Sequence, residues 1–218
     1  MLDSYKKVLK GFSPEFYSRG DFVYKVNDIV GKVFIIKSGN VKVFHPSEEN
    51  SSEIIFRFCS SGEIIGLKDV MYSDRYSDSC SAVCDSFIYS IPSELFKGIV
   101  EQDFELKFKL MQILCGKIQT LENNIFSLRE SRSDQRFAEA VDILAETFGL
   151  SPDGSLNVKL NPEDLAAVTC LSVSYLRKLI SRFCEAGIVC YSNGTLRILD
   201  RKKLLEVYRS TDELHHGN

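Results

Sequence analysis

Three basic residues and several hydroxyls lie close together between Ser172 and Phe183, with no acidic residue among them, in a chain whose net charge is −3. Arginine and lysine bind phosphates and the edges of bases, and serine hydroxyls bind the same groups. At helical spacing the set forms one face, opposite an apolar stripe: Val173, Ser174, Arg177, Lys178, Ser181 and Arg182. Such a face is most often simply solvated, so its meaning depends on the elements around it.

The segment that carries this face predicts two short helices rather than one. Asn161 is suited to cap a first helix whose first position is Pro162. Ser172 is a second N-cap candidate about two turns after Leu165, and a second start signal would be wasted inside a single helix. The turn position Cys170 is commonly glycine in such pairs, and a residue with a Cβ costs of order 1 kcal/mol there. We therefore predict a helix-turn-helix.

The flanking segments extend this prediction to a winged domain. A helix over 135–149 and a strand over 156–160 come before the pair, and Asn193-Gly194 between β-rich arms is typical of a two-residue hairpin. This order favours a DNA-binding domain with its second helix in the major groove and its hairpin beside the phosphates. The residues predicted to contact DNA are Ser172, Val173, Ser174, Tyr175, Arg177, Lys178, Arg182, Asn193 and Thr195.

Within this set we expect different roles. Arg177 and Lys178 would reach base edges or phosphates near the middle of the helix, and Arg182 would meet the backbone. The hydroxyls at the start of the helix would anchor it to phosphate or bases, and the wing residues would meet flanking phosphates. Val173 is suited to touch a thymine methyl group.

The first half of the chain reads as short antiparallel strands. From about Asp21 to Ile91, runs such as KVFIIKSGNVKVFH (32–45) are separated by turn residues, with a hairpin signal at Ser38-Gly39-Asn40 and no helix between the strands. Short strands in this arrangement predict an antiparallel sandwich or roll.

A long helix is predicted from about Asp103 to Leu128, followed by a polar hinge over 129–136. Its apolar residues recur at alternating steps of three and four over roughly 40 Å, as in a coiled coil. The stripe could pack on the chain's own β domain, but a helix this long overhangs a small barrel. We therefore favour a dimer seam made of Met111, Leu114, Ile118, Leu121, Ile125 and Leu128.

Composition argues against several other classes. The seven cysteines are scattered and odd in number, which favours a reducing cytoplasm. No apolar run approaches the roughly 18 residues of a membrane span, and the amino terminus lacks a secretory signal. Cys80, Cys84 and His45 are too few for a metal or haem site, and no catalytic constellation stands out. We expect a cytoplasmic protein that is not an enzyme and holds no cofactor or metal.

Taken together, the segments resemble the cyclic-AMP receptor protein/FNR (Crp/Fnr) family of bacterial transcription regulators. GKVFIIKSGNVKVF, SSGEIIGLKDVM and LAAVTCLSVSYLRKLISRFCEAGIV stand in the family's order and spacing, over nearly the full length. The resemblance implies an α+β chain with an antiparallel β-roll of cyclic-nucleotide-binding (jelly-roll) type over 1–102, a long dimerisation helix and hinge over 103–132, and a winged helix-turn-helix over 133–218. It also implies a homodimer on a palindromic operator in double-stranded DNA, with RNA polymerase as a further partner.

The same resemblance places an effector pocket in the β-roll, around Gly66, Leu67, Arg75, Tyr76, Ser77, Leu121 and Glu122. Cyclic-nucleotide binders of the family have a Gly-Glu pair that grips the ribose and an Arg, followed by Ser or Thr, that neutralises the phosphate. Here Leu67 replaces the ribose carboxylate, Arg75 is followed by Tyr76, and Glu122 would repel a phosphate. A lost ion pair costs about a hundredfold in affinity, so any effector is expected to differ from cyclic AMP.

A rival class is a signalling or scaffold protein that uses the β-roll for protein contacts and has a degenerate winged domain. DNA binding with a steep salt dependence, lost on Arg177→Ala with Lys178→Ala, distinguishes the two. The operator sequence, the effector, the sign of regulation and any redox role of the cysteines are left open at this point.

Overall fold

The computed structural model describes residues 5–46, 53–130, 132–169 and 171–209. The chain forms two compact units, Met1–Asn123 and Asn124–Asn218, and the long helix begins in the first and ends in the second. The elements of the first unit are α1 (Lys6–Leu9), β1 (Glu15–Tyr17), β2 (Phe22–Tyr24), β3 (Lys32–Ser38), β4 (Val41–Pro46), β5 (Glu53–Cys59), β6 (Ile64–Ile65), α2 (Leu67–Tyr72), β7 (Ser79–Ala82), β8 (Ser86–Pro92), α3 (Ser93–Gln102) and α4 (Phe104–Glu130). Those of the second are α5 (Ser133–Phe148), α6 (Pro162–Thr169), α7 (Val173–Glu185), β9 (Val189–Ser192), β10 (Thr195–Ile198) and α8 (Arg201–Arg209).

The strands of the first unit form two antiparallel sheets, with the orders β1-β8-β3-β6 and β2-β7-β4-β5. Phe34 and Ile36 of the first sheet share a buried cluster with Val41 and Val43 of the second, so the inner faces of the two sheets pack together. The predicted hairpin at residues 38–40 joins β3 to β4. The α+β fold class with an antiparallel roll is thus confirmed.

Strand β3 is buried on both of its faces. Its alternate residues Val33 and Ile35 point away from the roll interior and join a second cluster with Phe96 of α3 and with Leu106 and Leu110 of α4. A strand covered on both sides has no polar face, which explains the unbroken apolar run VFII. The same cluster holds the first part of α4 against the roll.

The second unit contains a helix-turn-helix. Oδ1 of Asn161 accepts the N–H of Asp164 (2.6 Å) at the start of α6, and Oγ of Ser172 accepts the N–H of Tyr175 (3.3 Å) at the start of α7. The two predicted capping residues therefore begin two separate helices. Cys170, where a backbone cost was predicted, lies outside the described residues.

A two-stranded wing follows α7. Strands β9 and β10 pair on either side of Asn193 and Gly194, whose φ angles are 51° and 78°, as the predicted hairpin requires. The predicted strand over 156–160 is wrong: the segment makes isolated bridges, and only its two ends bond to the hairpin, through Leu156 N–H and Leu160 N–H. Leu156 bonds to the second edge of β10, but the N–H of Asn157 turns to the carbonyl oxygen of Gly149, so no continuous ladder forms along that edge.

Candidate nucleic-acid interface and effector region

Helix α7 presents a basic face to solvent. Its apolar stripe is buried and fixes the rotation of the helix, with Phe183 packed edge-on against Phe137 of α5 at 4.9 Å between ring centroids. The opposite side is exposed, apart from Val173, which is half-buried. The exposed residues of this face are Ser174, Tyr175, Arg177, Lys178, Ser181 and Arg182. The face predicted from the sequence therefore exists as one continuous surface.

The cations of this face differ in their partners. Arg177 Nη2 lies 3.4 Å from Oε1 of Glu163 on α6, and both side chains are more than half exposed. An exposed pair of this kind is worth under about 1 kcal/mol, so it can be exchanged for another anion. Among the residues that the structure describes, Lys178 and Arg182 have no acidic partner within 4 Å. The face therefore offers its positive charge to an anion from solution.

The wing lies in the same unit as α7. Asn193 at its tip is exposed, and Thr195 is half-buried. The hydroxyl of Tyr191 donates to the carbonyl oxygen of Leu160 (2.8 Å), which ties the base of the wing to the segment before α6. The structure thus places each residue of the predicted DNA-contact set, and their contacts with DNA stay predictions.

The outer face of α4 is an apolar stripe open to solvent. Of the predicted seam, Met111, Ile118, Leu121 and Ile125 are exposed, whereas Leu114 packs partly against the roll cluster and the side chain of Leu128 lies outside what is described. Two further residues were missed by the sequence reasoning: Phe104 and Phe108, exposed by 79% and 52%, continue the stripe toward the start of the helix. Among the predicted seam residues whose side chains are described, Leu114 alone packs against the roll, as the alternative expected.

The residues predicted around an effector pocket point in different directions. Gly66 has φ 74°, and a Cβ there would lie 3.3 Å from the ring of Tyr76, which is buried and stacked on Tyr24. Leu67 is buried in the cluster with α3 and α4. Arg75 is exposed, and its Nη1 donates to the carbonyl oxygen of Asn27 at 2.6 Å. Leucine and glutamate at positions 121 and 122 are exposed on α4.

Two buried carboxylates lie next to Ser77, the remaining residue of the predicted effector pocket. Ser77 donates its hydroxyl to Asp69 (2.7 Å), which is 2% exposed. Asp78 accepts from the hydroxyl of Tyr24 (2.8 Å) and from Nζ of Lys68 (3.0 Å). Both carboxylates therefore have hydrogen-bond partners within the protein. The sequence analysis did not identify either aspartate.

The interior of the roll contains a cation that the sequence analysis also missed. Arg57 of β5 is directly opposite Val43 of β4, which is opposite Cys80 of β7, which is opposite Tyr24 of β2. Directly paired residues share one face of a sheet, so Arg57 is on the inner face with a core row. The alternation at the end of EIIFRFC, which places Arg57 in phase with Cys59, was the available signal.

A second cation approaches the same region from α4. Nζ of Lys117 donates to the carbonyl oxygen of Ile64 at 3.3 Å. Burial, reinforced by the charge of Arg57, lowers the pKa of Lys117 to about 8. Burial also raises the pKa of Cys59 to about 12 and that of Cys80 well above its usual range, so both thiols are neutral at pH 7. The β-roll thus has two cations next to uncharged thiols.

Within the described residues, no group of three or more His, Cys, Asp or Glu side chains could hold a metal ion. Over the same ranges, each helix is too short or too polar to cross a bilayer.

Comparisons with known proteins agree with this architecture. The family model of the cyclic nucleotide-binding domain matches residues 14–103. Over 206 residues the chain is 24% identical to the transcriptional activator protein anr of Pseudomonas aeruginosa, across 93% of this chain and 82% of that one. Over 209 residues it is 22% identical to the fumarate and nitrate reduction regulatory protein of Vibrio cholerae, across 94% and 82%.

Solved structures give the same result for the fold. FixK2 from Bradyrhizobium japonicum has a TM-score of 0.79 at 15% identity, covering 92% of this chain and 98% of that one. A transcriptional regulator of the CRP/FNR family from Thermus thermophilus has a TM-score of 0.77 at 22% identity, with coverages of 90% and 98%. A CooA mutant from Carboxydothermus hydrogenoformans has a TM-score of 0.72 at 26% identity, with coverages of 94% and 91%.

Fold and site define a class of regulator in which a long helix connects a β-roll to a winged helix-turn-helix. The chain is similar over nearly its full length to transcription regulators of the Crp/Fnr family, which bind DNA and act as dimers, and its residues 14–103 match the cyclic nucleotide-binding domain. It is a DNA-binding transcription regulator, which confirms the prediction from the sequence, and none of these likenesses favours the scaffold alternative.

Proposed function

We propose that the protein acts as a homodimer that reads a palindromic operator with α7 in the major groove. The observation that carries this proposal is the exposed basic face of α7, held outward by a buried stripe and capped by Ser172. Arg177 and Lys178 contact bases or phosphates near the middle of the helix, Arg182 contacts the backbone, and the wing meets the flanking phosphates through Asn193.

The dimer forms along the exposed stripe of α4. An apolar row of this length is unfavourable in water, and its alternating steps of three and four suit a second copy of the same helix. Twofold pairing would present two copies of α7 to half-sites about one helical turn, roughly 34 Å, apart on the duplex. The dimer works in the cytoplasm, recruits or blocks RNA polymerase as a further partner, and catalyses no reaction.

The β-roll modulates this dimer through an effector other than cyclic AMP. Arg75 is directed to Asn27, and the acids at positions 69 and 78 stand beside Ser77, where a phosphate would have to be bound. Carboxylates at this place repel a phosphodiester instead of neutralising it. Submicromolar binding of cyclic AMP or cyclic GMP in calorimetry would overturn this part of the proposal.

In vitro selection of bound DNA, followed by fluorescence anisotropy at several salt concentrations, tests the proposal. Arg177→Ala combined with Lys178→Ala should weaken binding of the selected operator at least about a hundredfold. Because each lost phosphate contact lowers the salt slope by about 0.9, the slope should also become shallower by one to two.

The matched control is Lys202→Ala combined with Lys203→Ala on α8, which removes the same charge from the same unit at exposed positions. Its affinity should stay within about threefold of the wild type. Equal losses in both double variants, or no binding of any duplex at low salt, would contradict the assignment of α7.

A further inference from the structure

The first turn of α5 contacts both helices of the helix-turn-helix. Phe137 is buried, and its ring packs edge-on against Phe183 of α7 at 4.9 Å between centroids. Arg136, the residue before it, is half-buried, and its Nε donates to the carbonyl oxygen of Thr169, the last residue of α6, at 3.4 Å. Two consecutive residues of α5 therefore connect this helix to α7 and to the end of α6.

The carbonyl oxygen of Thr169 lies at the C-terminal end of a helix. The last four carbonyl groups of a helix have no N–H partner within it, and they form the negative end of its dipole. At the end of α6, the carbonyl oxygen of Ala166 accepts the N–H of Leu171 (3.1 Å), and the Thr169 hydroxyl donates to the carbonyl oxygen of Leu165 (2.9 Å). Thr169 is 3% exposed, so water has little access to it. Arg136 therefore supplies its carbonyl group with a donor that carries a positive charge.

The turn that follows Thr169 is short. Only positions 170 and 171 separate this residue from Ser172, whose hydroxyl caps the start of α7 by accepting the N–H of Tyr175. A displacement of the end of α6 therefore moves the first turn of α7. In a helix-turn-helix the first residues of the second helix contact base edges, and a hydrogen bond tolerates only about half an ångström of misplacement. The contact of Arg136 thus affects how α7 meets the bases, although Arg136 belongs to another helix.

We propose that Arg136 is a positioning residue for DNA recognition. It holds the C-terminal end of α6 while Phe137 holds α7, so that the basic face of α7 meets the bases in register. It acts through Thr169 and not by binding phosphate. The inference rests on the proposed function, in which α7 reads an operator. It separates two quantities, because affinity for the operator depends on this contact, whereas affinity for random DNA depends on the exposed cations of α7.

The test compares two duplexes by fluorescence anisotropy with the full-length protein: the selected operator and a random duplex of the same length. Arg136→Met keeps an unbranched stem and removes the donor. It should raise the Kd for the operator about tenfold, as expected for the loss of one charge-assisted hydrogen bond. The Kd for the random duplex at low salt should stay within about twofold, because the phosphate contacts of α7 remain. The selectivity, which is the ratio of the two Kd values, should therefore fall about tenfold.

Arg201→Met is the matched control. Arg201 also joins two helices of this unit, since its Nη2 lies 2.8 Å from Oδ1 of Asp142 and ties α8 to α5. Its replacement should lower the melting temperature and leave the selectivity unchanged. Arg136→Lys keeps the charge and a donor at the same position, so it should recover part of the selectivity that Arg136→Met loses.

A purely structural Arg136 gives a different pattern. Arg136→Met would then lower the melting temperature and keep the wild-type selectivity, as Arg201→Met does. That outcome, or no recovery of selectivity in Arg136→Lys, overturns the inference. If Arg136→Met does not fold, Arg136→Gln replaces it with the same expectations. A wild-type protein without selectivity would instead contradict the proposed function of α7, so the two proposals fail in different ways.

Discussion

Helices α4 and α7 differ in the face that each leaves open to solvent. Helix α7 buries its apolar stripe and turns its cations to solvent, whereas α4 exposes much of its apolar stripe and turns Lys117 toward the roll. Exposed cations suit a polyanion, and an exposed apolar row suits another protein surface. The comparison shows that the kind of partner a helix binds is indicated by the face it exposes to solvent, and less by its amino-acid composition.

The largest expected effect comes from the outer face of α4. Ile118→Asp places a charge in the middle of the exposed stripe, and burying an unpaired carboxylate in a helix pair costs several kcal/mol. We expect the protein to become monomeric in analytical ultracentrifugation, with DNA affinity lower by about a hundredfold or more because one half-site contact is lost. The control is Thr120→Asp, at an exposed position off the stripe. A dimeric Ile118→Asp protein would show that α4 is not the seam.

The inner face of α4 gives an effect of intermediate size. The pKa of Lys117 is lowered from its usual 10.5 to about 8 in the folded protein. Between these pH values the unfolded chain binds more protons than the folded one, so stability rises with pH across this window. Below pH 8 the desolvated charge lowers stability, and Lys117→Met should raise the free energy of unfolding by about 1–2 kcal/mol at pH 7.

Urea unfolding at pH 7 and at pH 9.5 measures this effect. The gain of the wild type between the two pH values should be largely absent in Lys117→Met and present in Lys107→Met, the exposed control on the same helix. If both variants keep the wild-type pH dependence of stability, Lys117 is solvated, and its placement against the β-roll is contradicted.

The smallest expected effect concerns α7. Glu163→Gln removes the carboxylate 3.4 Å from Arg177, which releases the arginine and removes a negative charge near the DNA phosphates. Because the pair is exposed, the gain is under about 1 kcal/mol, or about twofold to fivefold tighter DNA binding at low salt. Anisotropy with the selected operator measures it. Glu206→Gln on α8, which removes an exposed glutamate paired with Lys202 at 4.0 Å, is the control, and tighter binding there as well would show a general charge effect.

The sequence was sufficient for the winged unit because its signals are local. Capping by Asn161 and Ser172 and the turn at Asn193-Gly194 each depend on residues a few positions apart, and each was found where predicted. The strand predicted over 156–160 failed because pairing depends on a distant partner: Leu156 bonds to the second edge of β10, but Asn157 bonds to Gly149 instead and ends the pairing.

The β-roll was harder to predict, since its site residues come from distant segments. Arg57 and Lys117 are 60 positions apart, and only the fold brings their charges near enough for the one to lower the pKa of the other. The alternation within β5 could have placed Arg57 inside. Nothing in the periodicity of α4 indicated that Lys117 faces the roll, because the heptad pattern concerns its apolar positions only.

Lys117 and Ile118 are consecutive residues, so their side chains leave the helix about 100° apart. The roll, which holds Lys117 through the carbonyl oxygen of Ile64, and a partner molecule that packs on Ile118 therefore act on one rod, helix α4. Any rotation of this helix that improves the contact of Lys117 with the roll also alters the contact of Ile118 with the partner molecule. If an effector of the β-roll changes self-association, reciprocity requires self-association to change the apparent affinity for that effector by the same factor, so its titrations at different protein concentrations would yield different constants.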